Sequence, residues 1–164
     1  MATTRAVLIP YGAEFPATNF PQLMLVNRRP VLAFDASTDE ACQWTVIAPQ
    51  GLTGTMTAVI TYMMASATSG AVGFQVAVEA VSDGDSTDLD AGDSFDTVNN
   101  SASTTVPGTA GYIDQISVTL TNQDSVAAGD LVRIKLNRDA DGSAITDSAT
   151  GDAYVLAVEL RDAA

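Results

Sequence analysis

Apolar and polar residues alternate one for one along several stretches of this chain, and that rhythm confines them to extended strands. Ile116, Val118 and Leu120 are interleaved with Ser117, Thr119 and Thr121. Val132, Ile134 and Leu136 are interleaved with Arg133, Lys135 and Asn137. Successive side chains of a strand project to opposite faces, so a period of two gathers the apolar residues on one face. The same reading marks Cys42–Ala48, Gly54–Met64, Ala71–Val81, Tyr112–Thr121, Leu131–Asn137 and Ala153–Arg161 as strands. Within them Phe74, Val76, Val78 and Ala80 are expected to face inward, with Gln75, Ala77 and Glu79 outward. Tyr154, Leu156, Val158 and Leu160 are expected to share one face. A further short strand is expected near Phe95–Val98, and Ser37–Gln43 has the caps for one helical turn. No stretch carries three turns of helical spacing.

Two long connections, Ser82–Gly111 and Arg138–Asp152, separate these strands. Short strands joined by turn-rich loops, with long crossovers, predict an all-β antiparallel two-sheet sandwich of Greek-key or jelly-roll type. Residues 1–35 differ. Four of the six prolines fall here (Pro10, Pro16, Pro21, Pro30), with apolar residues between them. Proline removes a ladder donor and holds its predecessor extended. The expectation is an extended N-terminal arm over 1–35, with short edge strands at Leu23–Val26 and Val31–Phe34, and a sandwich domain over 36–164. The arm is expected to lie along its own sandwich or a neighbouring subunit, with Tyr11, Phe15, Phe20, Leu23, Arg28 and Arg29 as its contacts to a subunit or another partner, and residues 1–22 to be dispensable for folding.

The chain of 164 residues is the length of one domain and has no His, one Cys and one Lys. A Ser–His–Asp triad and a His-based zinc site are therefore excluded. Cys42 cannot form an internal disulfide and reads as a small buried hydrophobe. Glu79 and Glu159 have nothing to pair them across a cleft, so the expectation is no enzyme. The net charge of −13 argues against nucleic acid and against an anionic membrane surface. The apolar run before Pro10 is too short for a secretory signal, which points to synthesis in a cytoplasm. Trp44 is expected in the core.

Two acidic stretches are candidates for Ca²⁺. Ser82–Asp96 holds six Asp in fourteen residues, and Asp83 and Asp85 fit the first and third positions of a calcium loop, with Asp88 where glycine is required. Asn137–Gly142 places Asp139 and Asp141 at the third and fifth positions ahead of Gly142, but Ser148 stands where a bidentate Glu is needed. The simpler account of both is a solvated loop that carries the charge for solubility, with no cofactor. Asn27-Arg28-Arg29-Pro30 is a basic cluster against the acidic background, suited to clamp acidic loops of the same or a neighbouring subunit.

The stretches VNRRPVLAFDAS (Val26–Ser37), IAPQG (Ile47–Gly51), DSVAAGDLVRIKLNRDADG (Asp124–Gly142) and TGDAYVLAVELR (Thr150–Arg161) resemble small jelly-roll virion proteins of tailed bacteriophages. The resemblance implies a capsid decoration, or cement, protein on the outer surface of the head. It also implies a homo-oligomer, as a trimer, gripping the major capsid protein by an N-terminal arm. It carries no catalytic residue. The alternative is a tail or head-fibre module that binds host glycans, which calls for an exposed aromatic beside Asp or Asn at a loop-rich end.

Overall fold

A computed structural model describes residues 2–162. The strands are β1 (Thr4–Leu8), β2 (Gln22–Val26), β3 (Arg29–Phe34), β4 (Glu40–Ile47), β5 (Met56–Met64), β6 (Ala71–Val72), β7 (Phe74–Val81), β8 (Asn99–Asn100), β9 (Thr104–Thr105), β10 (Ile113–Thr119), β11 (Leu131–Arg138) and β12 (Ala153–Asp162). A 3₁₀ turn at Pro10–Gly12 follows β1. All strand pairings are antiparallel. One sheet runs β10-β5-β12-β3-β2, the other β4-β11-β7-β8, and β6 and β9 form a small clip. The chain is an all-β, antiparallel sandwich.

The alternation read from the sequence builds the core. Ile116, Val118 and Leu120 are buried while Ser117 and Thr119 face water. Val132, Ile134 and Leu136 point between the sheets and meet Met56, Ala58, Ile60 and Tyr62 in one cluster. Phe34 and Tyr62 set their rings edge-on against Phe74, with centroids at 5.8 and 6.1 Å. Each fully buried Leu, Ile or Phe contributes about 1.5–3 kcal/mol. Trp44 is 3% exposed, and its indole N–H donates to the Ile9 carbonyl at 2.9 Å.

Residues 4–34 are built into the sandwich over much of their length. β1 pairs with the second half of β12, from Thr4 opposite Arg161 to Leu8 opposite Val158. β2 and β3 form a hairpin, and β3 pairs with the first half of β12. Leu8, Val31, Leu32 and Phe34 are buried. The stretch between the 3₁₀ turn and β2 runs beside β4: Glu14 bridges Gln43, and the Ala41 N–H donates to the Asn19 carbonyl at 2.9 Å. Both expected edge strands are present, at Gln22–Val26 and Arg29–Phe34.

Four local expectations are corrected. In β12 the register shifts between Val155 and Ala157, so Ala153 and Val155 are buried before the shift and Val158 and Leu160 after it. Tyr154 and Leu156 consequently leave the core face, as an extra residue inverts the alternation downstream. The expected strand Ala71–Val81 breaks at Gly73, where a Cβ would lie 2.5 Å from Ile145 Cγ2. Phe95–Val98 forms no strand; its Asp96 N–H makes a single bond to Val78, and pairing with β7 begins at Asn99. No helical turn forms at Ser37–Gln43. Asp35 Oδ1 instead accepts from the Ser37 and Thr38 N–H groups at 2.7 and 2.8 Å and turns the chain into β4.

Candidate functional site

The six residues expected to make contacts all face water, and their local geometry explains why. Pro10 opens the 3₁₀ turn, where its missing N–H costs nothing, and is itself buried. The turn thereby lifts Tyr11 off the body, 64% exposed. Phe15 and Phe20 stack at 5.7 Å, tilted, on the outside of the segment that runs along β4. Leu23 lies in β2, the outermost strand of its sheet. Arg28 occupies the two-residue turn between β2 and β3, and Arg29 opens β3. Asn27 and Arg28 both have positive φ, 45° and 66°, the geometry of a type I′ turn that suits the strand twist. Within its own subunit the basic cluster clamps no acidic loop among the described residues: the ion pairs engage Arg5, Arg133, Arg138 and Arg161.

The acidic candidates separate into two outcomes. Asp83, Asp85 and Asp88 stay apart on an exposed loop. Asp85 accepts from the Ser82 N–H at 2.9 Å and Asp88 from the Asp90 N–H at 3.0 Å, so each closes a local turn. Asp139 and Asp141 are brought together, and with them Asp39 from the β3–β4 connection, with carboxylate oxygens within 4.8 Å of one another. These three could hold a cation. Yet Asp139 is buried and its oxygens are occupied by the Ser143 hydroxyl (3.1 Å), the Ala144 N–H (3.0 Å) and the Ile145 N–H. The Ser143 N–H holds the Asp141 carboxyl below the usual Asp range. The trio already closes the loop by itself. The partnership with Asp39 was invisible in the sequence, because a hundred residues separate it from the others.

The outer face of the second sheet carries a groove lined by Gln75, Ala77, Phe95, Val98, Lys135 and Asn137. The Arg133 guanidinium and Lys135 ammonium lie over the Phe95 ring at 5.2 and 5.6 Å. Those cations bind the aromatic of the long acidic loop to the sheet. Arg133 also reaches Asp93 on that loop and Glu79 on β7. Glu79, expected at an outward and solvated position, is fully buried, accepting from Arg133 at 2.8 Å and from the Ser94 N–H at 2.8 Å. It anchors the loop. Glu159 is on the other sheet, held below the ordinary Glu range by Arg161 and by Thr4.

Arg138 is the polar residue that sequence reasoning missed. It was expected to open a loop; it closes β11 with its guanidinium fully buried. Asp147 accepts from its Nε and Nη2 at 2.9 and 3.0 Å. The carbonyls of Phe34, Gly151 and Ala149 take the remaining donors. Position eight of an alternating strand was the available signal, since Arg138 follows Val132, Ile134 and Leu136 on the inner face. Burial pushes the Cys42 thiol well above its ordinary range, so it stays protonated and unreactive. Neither a scan against protein-family models nor a search of curated proteins returns a match to this chain.

Proposed function

We propose that this chain is a non-enzymatic structural virion protein that decorates the outer capsid surface of a tailed phage, binding the major capsid protein and neighbouring copies. The observation that carries this reading is the distribution of exposed apolar side chains. Among the described residues thirteen large hydrophobics are exposed, and eight lie between Val7 and Leu25. Exposed apolar side chains concentrated on one stretch of chain, rather than scattered singly, support a docking role for that stretch. The strand order supports the jelly-roll part of the reading. β3, β12, β5 and β10 neighbour one another in one layer, and β4, β11, β7 and β8 in the other, so the chain alternates between layers as two Greek keys do. The stretches from Val26 to Arg161 that resemble phage virion proteins supply the kind of partner.

Removing residues 1–22 is a poor test, because it strips β1 from β12 and Leu8 from the core. The better test is Tyr11→Ser with Phe15→Ser, both at exposed positions. The parent is expected to copurify with intact heads at a fixed ratio to the shell protein. The double variant is expected to keep the parent's circular dichroism and bind at least about tenfold more weakly. A variant that binds heads as the parent does removes this surface from the proposal. A parent that never accompanies heads, or that binds a glycan array instead, removes the capsid.

A further inference from the structure

We infer that β2 is a self-pairing edge: two copies of this chain join β2 to β2 in antiparallel fashion about a two-fold axis at Met24, making one continuous sheet. This contact deepens the part of the proposed function in which the chain binds neighbouring copies; it forms without a particle, so its failure is read separately from that of head binding.

An unpaired strand edge is a template for another strand, and folded chains blunt such edges with charge, bulges, brevity or cover. The other edges here are blunted. β4 is covered by Glu14 and Asn19. β8 is two residues long. β1 carries Arg5 and a register shift between Thr4 and Ala6. β10 carries Asp114, and beyond the exposed Ile113 its solvent-facing residues are the polar Gln115, Ser117 and Thr119. β2, Gln-Leu-Met-Leu-Val, has no charge, no proline and no register shift, and Leu23, Met24 and Leu25 are 43%, 37% and 61% exposed.

Backbone geometry selects the register. The two-residue turn makes Val26 and Arg29 a hydrogen-bonded pair, and the alternation of antiparallel ladders then directs Met24 and Gln22 to β3 as well. The N–H and C=O groups of Leu23 and Leu25 therefore face outward. Pairing about Met24 sets Leu23 opposite Leu25 of the second copy, twice, and satisfies all four pairs of groups. A register centred one residue earlier on the outward set would need a donor from Pro21, which has none.

Charge names the occupant as a second copy. At one end of β2 stand Arg28 and Arg29, which make no ion pair with the described residues. At the other end Asp35, Glu40 and Asp152 gather around Gln22 and Met24. Burial raises the Glu40 pKa, the Asp35 N–H bond opposes that rise, and the neighbouring Asp35 and Asp152 charges add to it. In the Met24-centred pairing Val26 stands opposite Gln22 of the second copy. Each basic tip then falls beside the other copy's acidic end, and the two complementary contacts arise at once.

The test is sedimentation equilibrium on the full chain alone. The parent is expected to form dimers. Met24→Lys and Met24→Glu each place like charges directly opposite, and each is expected to weaken self-association at least about tenfold. Mixing the two variants is expected to restore dimers as a mixed pair. Met24→Cys gives a second readout, because directly opposed residues of an antiparallel pair lie at disulfide distance. It is expected to yield a covalent dimer on mild oxidation, whereas Leu89→Cys on the acidic loop is not. A parent that stays monomeric up to its solubility limit overturns the proposal. So do charge variants that associate as the parent does, or a Met24→Cys chain that crosslinks no faster than Leu89→Cys.

Discussion

Arg138 joins both sheets and the last long loop through a single guanidinium. Its partners are Asp147 on that loop, the carbonyls of Ala149 and Gly151 just beyond, and the carbonyl of Phe34 at the end of β3. A buried pair of this kind is costly to desolvate, and removing one member leaves the other charged and unpaired. Asp147→Asn and Arg138→Met are therefore each expected to destabilise the fold by about 3–5 kcal/mol, read as a lowered denaturant midpoint at unchanged slope. The double variant Arg138→Met with Asp147→Leu is expected to recover much of that loss, since neither charge is then stranded. None of this network was legible in advance. The alternation of β11 put Arg138 on the inner face, but an arginine there has meaning only once the loop brings Asp147 back to it. Glu79 was misread for the same reason: its partners, Arg133 and the Ser94 N–H, come from a neighbouring strand and a distant loop.

At the level of elements, legibility followed regularity. β11 keeps one buried face from end to end and β10 does so from Ile116 onward, so their sequences declare them. β12 does not, because its register shift sits beside the boundary where its neighbour changes from β3 to β1. The β2–β3 hairpin was readable as two short strands but not as a type I′ turn, since Asn27-Arg28 lacks the usual glycine. Arg28 holds φ of 66°, a conformation that costs an L-residue with a Cβ about 1–2 kcal/mol and a glycine little. Arg28→Gly is expected to raise thermal stability of the isolated chain by about 0.5–1 kcal/mol, measured by calorimetry. It also removes one cation from the tip, so the same variant is expected to dimerise less well while melting later.

The molecule as a whole carries thirteen net negative charges, and its response to acid follows from a few of them. Asp35, Asp141, Glu159 and Asp162 have carboxyls held below their ordinary values, by Ser37, by Ser143, by Arg161 and by Arg5 respectively. A lowered folded-state pKa adds stability above the unfolded value, and that stability is lost as pH falls through the folded value. Glu40 is shifted upward by burial, so its contribution has the opposite sign: it is present in acid and lost as pH rises. Four groups oppose one. The melting temperature is expected to hold between about pH 7 and pH 5 and to fall below about pH 4, followed by calorimetry across that range. The acidic surface itself was plain from composition. Which carboxylates would be tethered was less plain: Ser37, Ser143 and Arg161 each lie two residues from the acid they hold and needed only the local turn or strand geometry, whereas Arg5 reaches Asp162 only when β1 pairs with β12.

β1 lies antiparallel to the last strand, and the pairing continues to the Thr3 carbonyl, which accepts from the Asp162 N–H at 3.2 Å. The chain therefore enters the sandwich at Thr3 and leaves it at Asp162 side by side, at the seam where β1 and β12 meet. A short linker can join Thr3 to Asp162 directly, and the exposed loop around Gly84, where an added Cβ would meet nothing within 4 Å, is the natural place for new ends. A circular permutant cut there keeps every strand pair intact, because Ser82–Val98 contributes no strand.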